Sequence, residues 1–369
     1  MKTEAGNIKF ALGIAFFPVL LMNGLYYMMP FDAVNVYEYL GGNELMSYQL
    51  LNIFTGGAVL PLIALLAGYM LNHYRDYGIP NLAKILLSVL AIGVLQAIFI
   101  FAFDFLAGLA LMALAGVLFL KTKWYIPLIS AVVLSGFHMI VNVLPSFFES
   151  IGSPRDKVYS AVQTVNEYTS IYTSSDYFAM ISQNIEIFSH NITGGMYASV
   201  FTVLPWILLG IALGKLNIAR LLRMNHILAV ALFITLAGGG LALKMIQVVM
   251  VGTYSGTLIA ENFGGPVLAL GYFILLVFAW DVIPGRAGDL FIPLGESSLT
   301  MYILSNIILI FVFYGVGFRA YGEVSIATMA GLMLVLYIVL LITAILLKKF
   351  KISGIESLFT NNSDKLEKK

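Results

Sequence analysis

Ten apolar runs, each close to or beyond the length of a membrane crossing, leave this chain very few possible folds. They cover residues 8–29, 49–72, 82–103, 105–121, 124–145, 194–214, 226–250, 264–284, 297–318 and 324–347. Crossing the hydrocarbon core takes about 20 mostly apolar residues in a helix. Lipid offers no partner to an open backbone, so each run must close its hydrogen bonds internally. Charge agrees: 11% of residues are charged, against about 25% in soluble domains, and the mean hydropathy is +0.94. The expectation is an all-α integral membrane protein of ten spans, with one polytopic domain over 1–352 and a cytoplasmic tail over 353–369. The third and fourth runs meet at Phe103-Asp104-Phe105. That leaves no room for a loop and predicts a tight helical hairpin. The polar start, Met1 to Lys9, shows no small-residue cleavage site behind a short apolar segment, so the first run reads as a retained helix.

Lysine and arginine set the expected orientation. With the N-terminus inside, the outer segments hold only Arg155, Lys157, Lys244 and Arg319, four of twenty basic residues, and the inner segments hold the other sixteen. This bias predicts both termini on the cytoplasmic side of a cell membrane, here a bacterial cytoplasmic membrane. The net charge of +1 speaks against a nucleic-acid partner. The chain has no cysteine, and its four histidines, at 73, 138, 190 and 226, show no metal-ligand spacing. No nucleotide-phosphate motif is present, so no bound cofactor or metal is expected.

One outer segment, about 146–193, is long. Val158, Val162, Val165 and Tyr172, then Tyr177, Ile181, Ile185 and Phe188, recur at near-helical spacing. They predict two short amphipathic helices that lie on the outer interface or cap the bundle. Asn191-Ile-Thr193 matches a glycosylation acceptor, a pattern with little meaning in a bacterial protein.

Polar residues within spans are costly and are functional candidates by default. Counted along the helices, Asn23, Asn52, Gln96, Asp104, His138 and Asn142 fall in the outer half, with Lys244 and Gln247 near the outer end of the seventh span. They predict an outward-facing polar cavity. Within it, Asp104 and His138 form a candidate catalytic pair in which the carboxylate orients the imidazole as a base. The plainer alternatives are that Asp104 caps the hairpin turn, that His138 and its neighbour Asn142 pack between helices, and that Lys244 snorkels to the outer interface. At the inner face, Asp281, Arg286, Asp289 and Glu296 cluster. Glu296 would sit at the start of the ninth span, where the helix dipole favours a carboxylate; the alternative is a gate or salt bridge with Arg286. Thr300, Tyr302 and Asn306 follow it at helical spacing.

The stretch Pro293-Leu-Gly-Glu-Ser-Ser-Leu-Thr-Met-Tyr-Ile-Leu-Ser-Asn306 resembles a family signature, P-x-G-R-M-A-L-T-N-Y-L-x-Q-S, of the YeiB-like membrane proteins. These are a domain of unknown function grouped with transmembrane acyltransferases. Pro293, Gly295, Leu299, Thr300 and Tyr302 match, and Glu296 stands where the family has Arg. Gly354-Ile-Glu356 is similar to a final G-P-L-E segment, one residue short. Gln96 to Leu106 resembles H-x(6)-G-D-I-L, with Asp104 and Leu106 matching and Gln96 in place of His. At the N-terminus Gly13 and Asn23 fit the family register, but Lys9 and Leu12 occupy the places of its Asp and Arg. The resemblance implies acyl transfer from a cytoplasmic donor, such as an acyl-CoA, to an acceptor at the outer face. His138 with Asp104 would supply the base, and Asn23, Asn52, Gln96, Asn142, Thr300 and Tyr302 would line the substrate site. The alternatives are a permease for a small or lipidic solute, using the same polar residues, and a non-catalytic protein of envelope assembly. In each case the partners are membrane lipids and a lipidic or cell-envelope substrate.

Overall fold

The computed structural model describes residues 4–31, 34, 36–152, 162–250, 253–283 and 285–357. Among them the protein is all-helical. Besides short helical turns at Val36–Tyr39, Arg75–Tyr77 and Gly285–Asp289, the helices in chain order are α1 (Glu4–Met28), α2 (Gly42–Thr55), α3 (Val59–His73), α4 (Ile79–Phe99), α5 (Leu106–Val117), α6 (Tyr125–His138), α7 (Leu144–Gly152), α8 (Val162–Tyr172), α9 (Tyr177–Thr202), α10 (Leu204–Lys215), α11 (Ile218–Met224), α12 (His226–Val249), α13 (Tyr254–Ile259), α14 (Gly265–Val282), α15 (Ile292–Glu296), α16 (Ser298–Phe313) and α17 (Ile326–Phe350). π-Helical turns at Met139–Val143 and Ala260–Gly264 join α6 to α7 and α13 to α14.

Eight of the described helical segments are long and apolar enough to cross a membrane, and a ninth forms if α15 and α16, bent by 76°, count as one broken span. The full-length span expected over 105–121 is not found. Its helix, α5, has 12 residues and rises about 18 Å, short of a hydrocarbon core of about 30 Å. Residues 118–122 continue as turns rather than helix. The Lys215 ammonium holds them by donating to the Phe119 and Thr122 carbonyls. The hairpin itself forms as expected: Gly93 of α4 meets the Ala107 backbone so closely that a methyl group there would lie 2.6 Å from the Ala107 nitrogen.

Local chemistry explains the other breaks. The expected 194–214 span is present as the apolar crossing Gly194–Lys215, with a one-residue break in the helix at Val203 ahead of Pro205 at the start of α10, since proline cannot donate within a helix. The second amphipathic helix expected near 177–188 is not a separate element but the first half of the 26-residue α9, capped at Asp176 by bonds from the Phe178 and Ala179 amides. The first matches α8; Val158 and the side chains of the 191–193 sequon lie outside the described residues. Between α2 and α3, Gly57 adopts φ +65°, a left-handed conformation natural to glycine. A side chain there would also collide with the Glu261 backbone of the π turn.

The centre of the bundle is α1, α2–α3 and α14. The best apolar window of each is 50–61% buried, against 17% for α12 and for the α6–α7 span. Without hydrophobic drive in lipid, small residues decide how closely helices approach. Gly68 and Gly210 bring α3 and α10 to backbone contact, and Gly214 abuts Asn72. Of the run Gly238-Gly-Gly240, only Gly240 has a close neighbour, at Leu268.

Several contacts place the helix ends. Glu296 takes ion pairs from Lys9 at 3.0 Å and Lys348 at 2.8 Å. Asn7 donates to the Val277 carbonyl at 3.2 Å, and Arg223 pairs with Asp281 at 3.1 Å. The start of α1, the α15–α16 bend, and the ends of α14 and α17 therefore share one basic end of the bundle, with α11 beside them.

Candidate functional site

Two buried polar clusters lie toward the other end. The first joins three elements at the hairpin tip. Asn23, fourteen residues past Lys9 on α1, is about 21 Å along the helix from the basic end. Its amide donates to the Asn306 Oδ1 at 3.2 Å and approaches the Tyr302 hydroxyl at 3.4 Å. Tyr302 donates to Asp104 Oδ1 at 2.7 Å, and the Leu106 amide donates to the same oxygen at 3.0 Å. Asp104 thus caps the hairpin turn and anchors the polar cluster at once. Asn23 and Asn306 are 1% and 0% exposed. Asp104 Oδ2, Asn306 Nδ2 and both amide atoms of Gln96 are buried without a hydrogen-bond partner among the described residues. Such atoms are uncommon, because each forgoes water and gains nothing in return.

Aromatic rings enclose this cluster. Phe105 packs on Tyr302 at 5.3 Å, and Tyr27 stacks on Phe101 at 4.2 Å while donating to the Asn306 carbonyl. Tyr172 of α8 stacks on Tyr314 at 4.6 Å, and its carbonyl accepts from the Gly315 amide. Its hydroxyl donates to Asn184 of α9, whose amide in turn reaches the Ile98 carbonyl at the end of α4. α8 and the start of α9 therefore cap the bundle above the first cluster.

The second cluster centres on Lys244. It is 0% exposed, so it does not snorkel to the interface. Its ammonium donates to Asn52 Oδ1 at 2.7 Å, Gln247 donates to the same oxygen at 3.2 Å, and Asn52 donates to the Tyr48 hydroxyl at 2.6 Å. Glu261 in the π turn interacts electrostatically with Lys244 from beyond ion-pair distance and lies near Asn52. A buried ammonium needs such a partner, since desolvation of an isolated charge costs several kcal/mol. An aromatic path links the clusters: Phe103 to Tyr26 at 5.2 Å, Tyr26 to Phe31 at 5.0 Å, and Phe31 to Tyr48 at 5.9 Å.

Other candidates fall elsewhere. His138 is not bonded to Asp104; its Nδ1 meets the Asn142 amide at 3.2 Å, and its Nε2 is buried and unbonded among the described residues. Thr300 does not join the polar cluster. Its amide and hydroxyl donate to the Glu356 carboxylate at 2.8 and 2.5 Å, and its hydroxyl accepts from the Ile355 amide. The carboxylate at the start of α16 is therefore Glu356 from the C-terminal segment, and Glu296 sits on the bend before it. Glu296 pairs with Lys9 and Lys348; the Arg286 side chain lies outside the described residues. Lys9 and Glu296, two of the positions at which the chain departs from the signature it resembles, meet as an ion pair. Thr300 and Glu356, which match that signature, also meet.

Sequence reading missed Glu261 and the Lys244 pairing. The available signal was weak: Asn52 and Lys244 lie within separate apolar runs and Glu261 between two of them, and only the fold brings them together. No group of metal-ligating side chains occurs among the described residues.

Fold and clusters together define an all-helical protein with membrane-spanning segments and buried polar sites between its central helices. A family profile described as a protein of unknown function, DUF418, matches residues 213–359, which carry Lys244, Glu261, Tyr302 and Asn306 but not Asn23, Asn52 or Asp104. Neither the curated proteins nor the solved structures provide a match.

Proposed function

We propose that the protein is a permease that binds a small hydroxyl-bearing solute in the outer half of a bacterial cytoplasmic membrane. One observation carries this reading. α1, the hairpin tip and α16 assemble Asn23, Asp104, Tyr302 and Asn306 into one hydrogen-bonded set, in which Asp104 Oδ2 is a spare acceptor and Asn306 Nδ2 a spare donor. A hydroxyl both donates and accepts, and so complements that pair. Phe105 beside Tyr302 supplies an apolar wall. Interrupted helices beside the polar clusters suit transport, since non-helical backbone at membrane depth usually lines a substrate path. The basic end, with Lys9, Lys215, Arg223 and Lys348, supports placing both termini inside. Membrane lipids are the surrounding partners, and no bound cofactor enters this reading.

A second reading, acyl transfer from a donor such as an acyl-CoA to an outer-face acceptor, is favoured by the 2.7 Å contact of Asp104 with Tyr302, two residues matching the YeiB-like pattern. There Asp104 would be the base, and His138 would stand outside the reacting pair.

A thermal-unfolding screen of purified protein against sugars, polyols and amino alcohols separates these readings. A solute that stabilises wild-type protein but not Asp104→Asn, and that wild-type proteoliposomes take up, is the expected result. No stabilising solute, together with an acyl group missing from the envelope lipids of a deletion strain, would overturn the permease in favour of acyl transfer.

A further inference from the structure

We infer that the turn between α10 and α12 carries a binding site for the phosphate of an anionic phospholipid. A cavity of about 400 Å³ opens there, lined by Asn217, Ala219, Arg220, Arg223 and Met224. The sequence builds it in steps. Asn217 takes the left-handed conformation at φ +58° and turns the chain sharply out of α10. In α11, Ala219 and Leu222 are buried at 4% and 0% and seat the helix on the bundle. Arg220, Arg223 and Met224 stand at spacings of three and four and, with Asn217 and Ala219, line the cavity.

The charge at this face is not neutralised. Asp281 is the acidic partner, and it engages Arg223 through Nε, which leaves the rest of that planar fork for another acceptor. Arg220 is exposed and has no ion pair among the described residues. Two guanidinium groups against one carboxylate leave a surplus positive charge beside a cavity. Arginine favours phosphate because its donors match two oxygens at once.

The rim identifies which phosphate. Leu221, Met224 and Ile227 are 50%, 76% and 84% exposed, next to the start of the membrane-spanning α12. Apolar side chains of that size fit acyl chains, while the arginines reach headgroup level. Free phosphate would gain nothing from this rim. The location at the basic end, under the orientation proposed above, also faces the leaflet where anionic lipids attract basic residues.

Native mass spectrometry of delipidated protein, titrated with phosphatidylglycerol or with phosphatidylcholine of the same acyl chains, tests the site. Wild-type protein should retain phosphatidylglycerol about tenfold more tightly than phosphatidylcholine, the factor equal to about 1.4 kcal/mol. Arg220→Gln should lose most of that preference. Arg220 is exposed, so the variant should fold, and Lys84→Gln, an exposed basic residue on α4, should keep the preference. Equal retention of both lipids by wild-type protein, or an unchanged preference in Arg220→Gln, overturns the proposal. Displacement of bound phosphatidylglycerol by millimolar sodium phosphate would assign the site to free phosphate and overturn the lipid reading.

Discussion

Replacing Lys244 with Met is the sharpest probe of how this bundle tolerates charge. The stem of the side chain survives and the ammonium is lost. Two groups then lose a partner, since Asn52 Oδ1 keeps only its 3.2 Å bond from Gln247 and Glu261 loses the cation that acts on it, and the space around Nζ empties. Removing one member of a buried charge pair costs about 3–5 kcal/mol, because the other charge remains desolvated. At about 2 °C per kcal/mol for a chain of this size, Lys244→Met should lower the apparent Tm in detergent by roughly 6–10 °C. Lys244→Met combined with Glu261→Gln removes both charges and should recover at least about 2 kcal/mol of that loss. The assay is thermal unfolding at one fixed scan rate, following intrinsic fluorescence. If Lys244→Met melts within 2 °C of wild type, or if the double variant is no better than the single, the lysine is not held by a paired carboxylate and the account of this cluster is wrong.

Close helix approach makes a contrasting prediction. Gly295→Ala drives a methyl group into the Lys9 carbonyl, whereas Gly238 has nothing within 4 Å; the first should cost about 1–3 kcal/mol and broaden the gel-filtration peak, the second should do neither. Equal behaviour of the two variants would refute the packing of α1 on α15. Thr300→Val or Glu356→Gln should release the C-terminal segment, worth about 1 kcal/mol for a helix-start carboxylate, and speed trypsin cleavage at Lys351 about fivefold. Unchanged cleavage would mean that the contact does not hold the tail. Because the chain has no cysteine, Ser174→Cys and Ser353→Cys test orientation directly: an impermeant maleimide should label the first in intact cells and the second only after lysis, and the opposite pattern would invert the proposed topology.

Much of the architecture was legible from apolar runs, because a helix in lipid must be continuous and long. The failures have local causes. At 105–121 composition alone suggested a span, but after Val117 the backbone leaves the helix and Lys215 from another helix holds the turns that follow. At 177–188 the amphipathic pattern was real, yet the Gly194-Gly195 pair that follows does not break the helix, which runs on to Thr202. Asn23, Asp104 and Tyr302 were legible as polar residues within or beside apolar runs. That they touch, while His138 turns to Asn142, depends on how α1, α16 and the hairpin pack.

The sequence by itself determined the helical, membrane-spanning character, the basic end, and which residues are too polar for their surroundings. Those properties follow from transfer free energies of single side chains and from runs of neighbours. Only the tertiary structure decided the pairings: Lys244 with Asn52 opposite Glu261, Lys9 with Glu296, Thr300 with Glu356, and Asp104 with Tyr302. Each of the four direct contacts joins residues at least 56 positions apart. Nothing local encodes such a contact; it arises when glycine-lined helix faces set which backbones can approach and the desolvated groups take the partners that remain within reach.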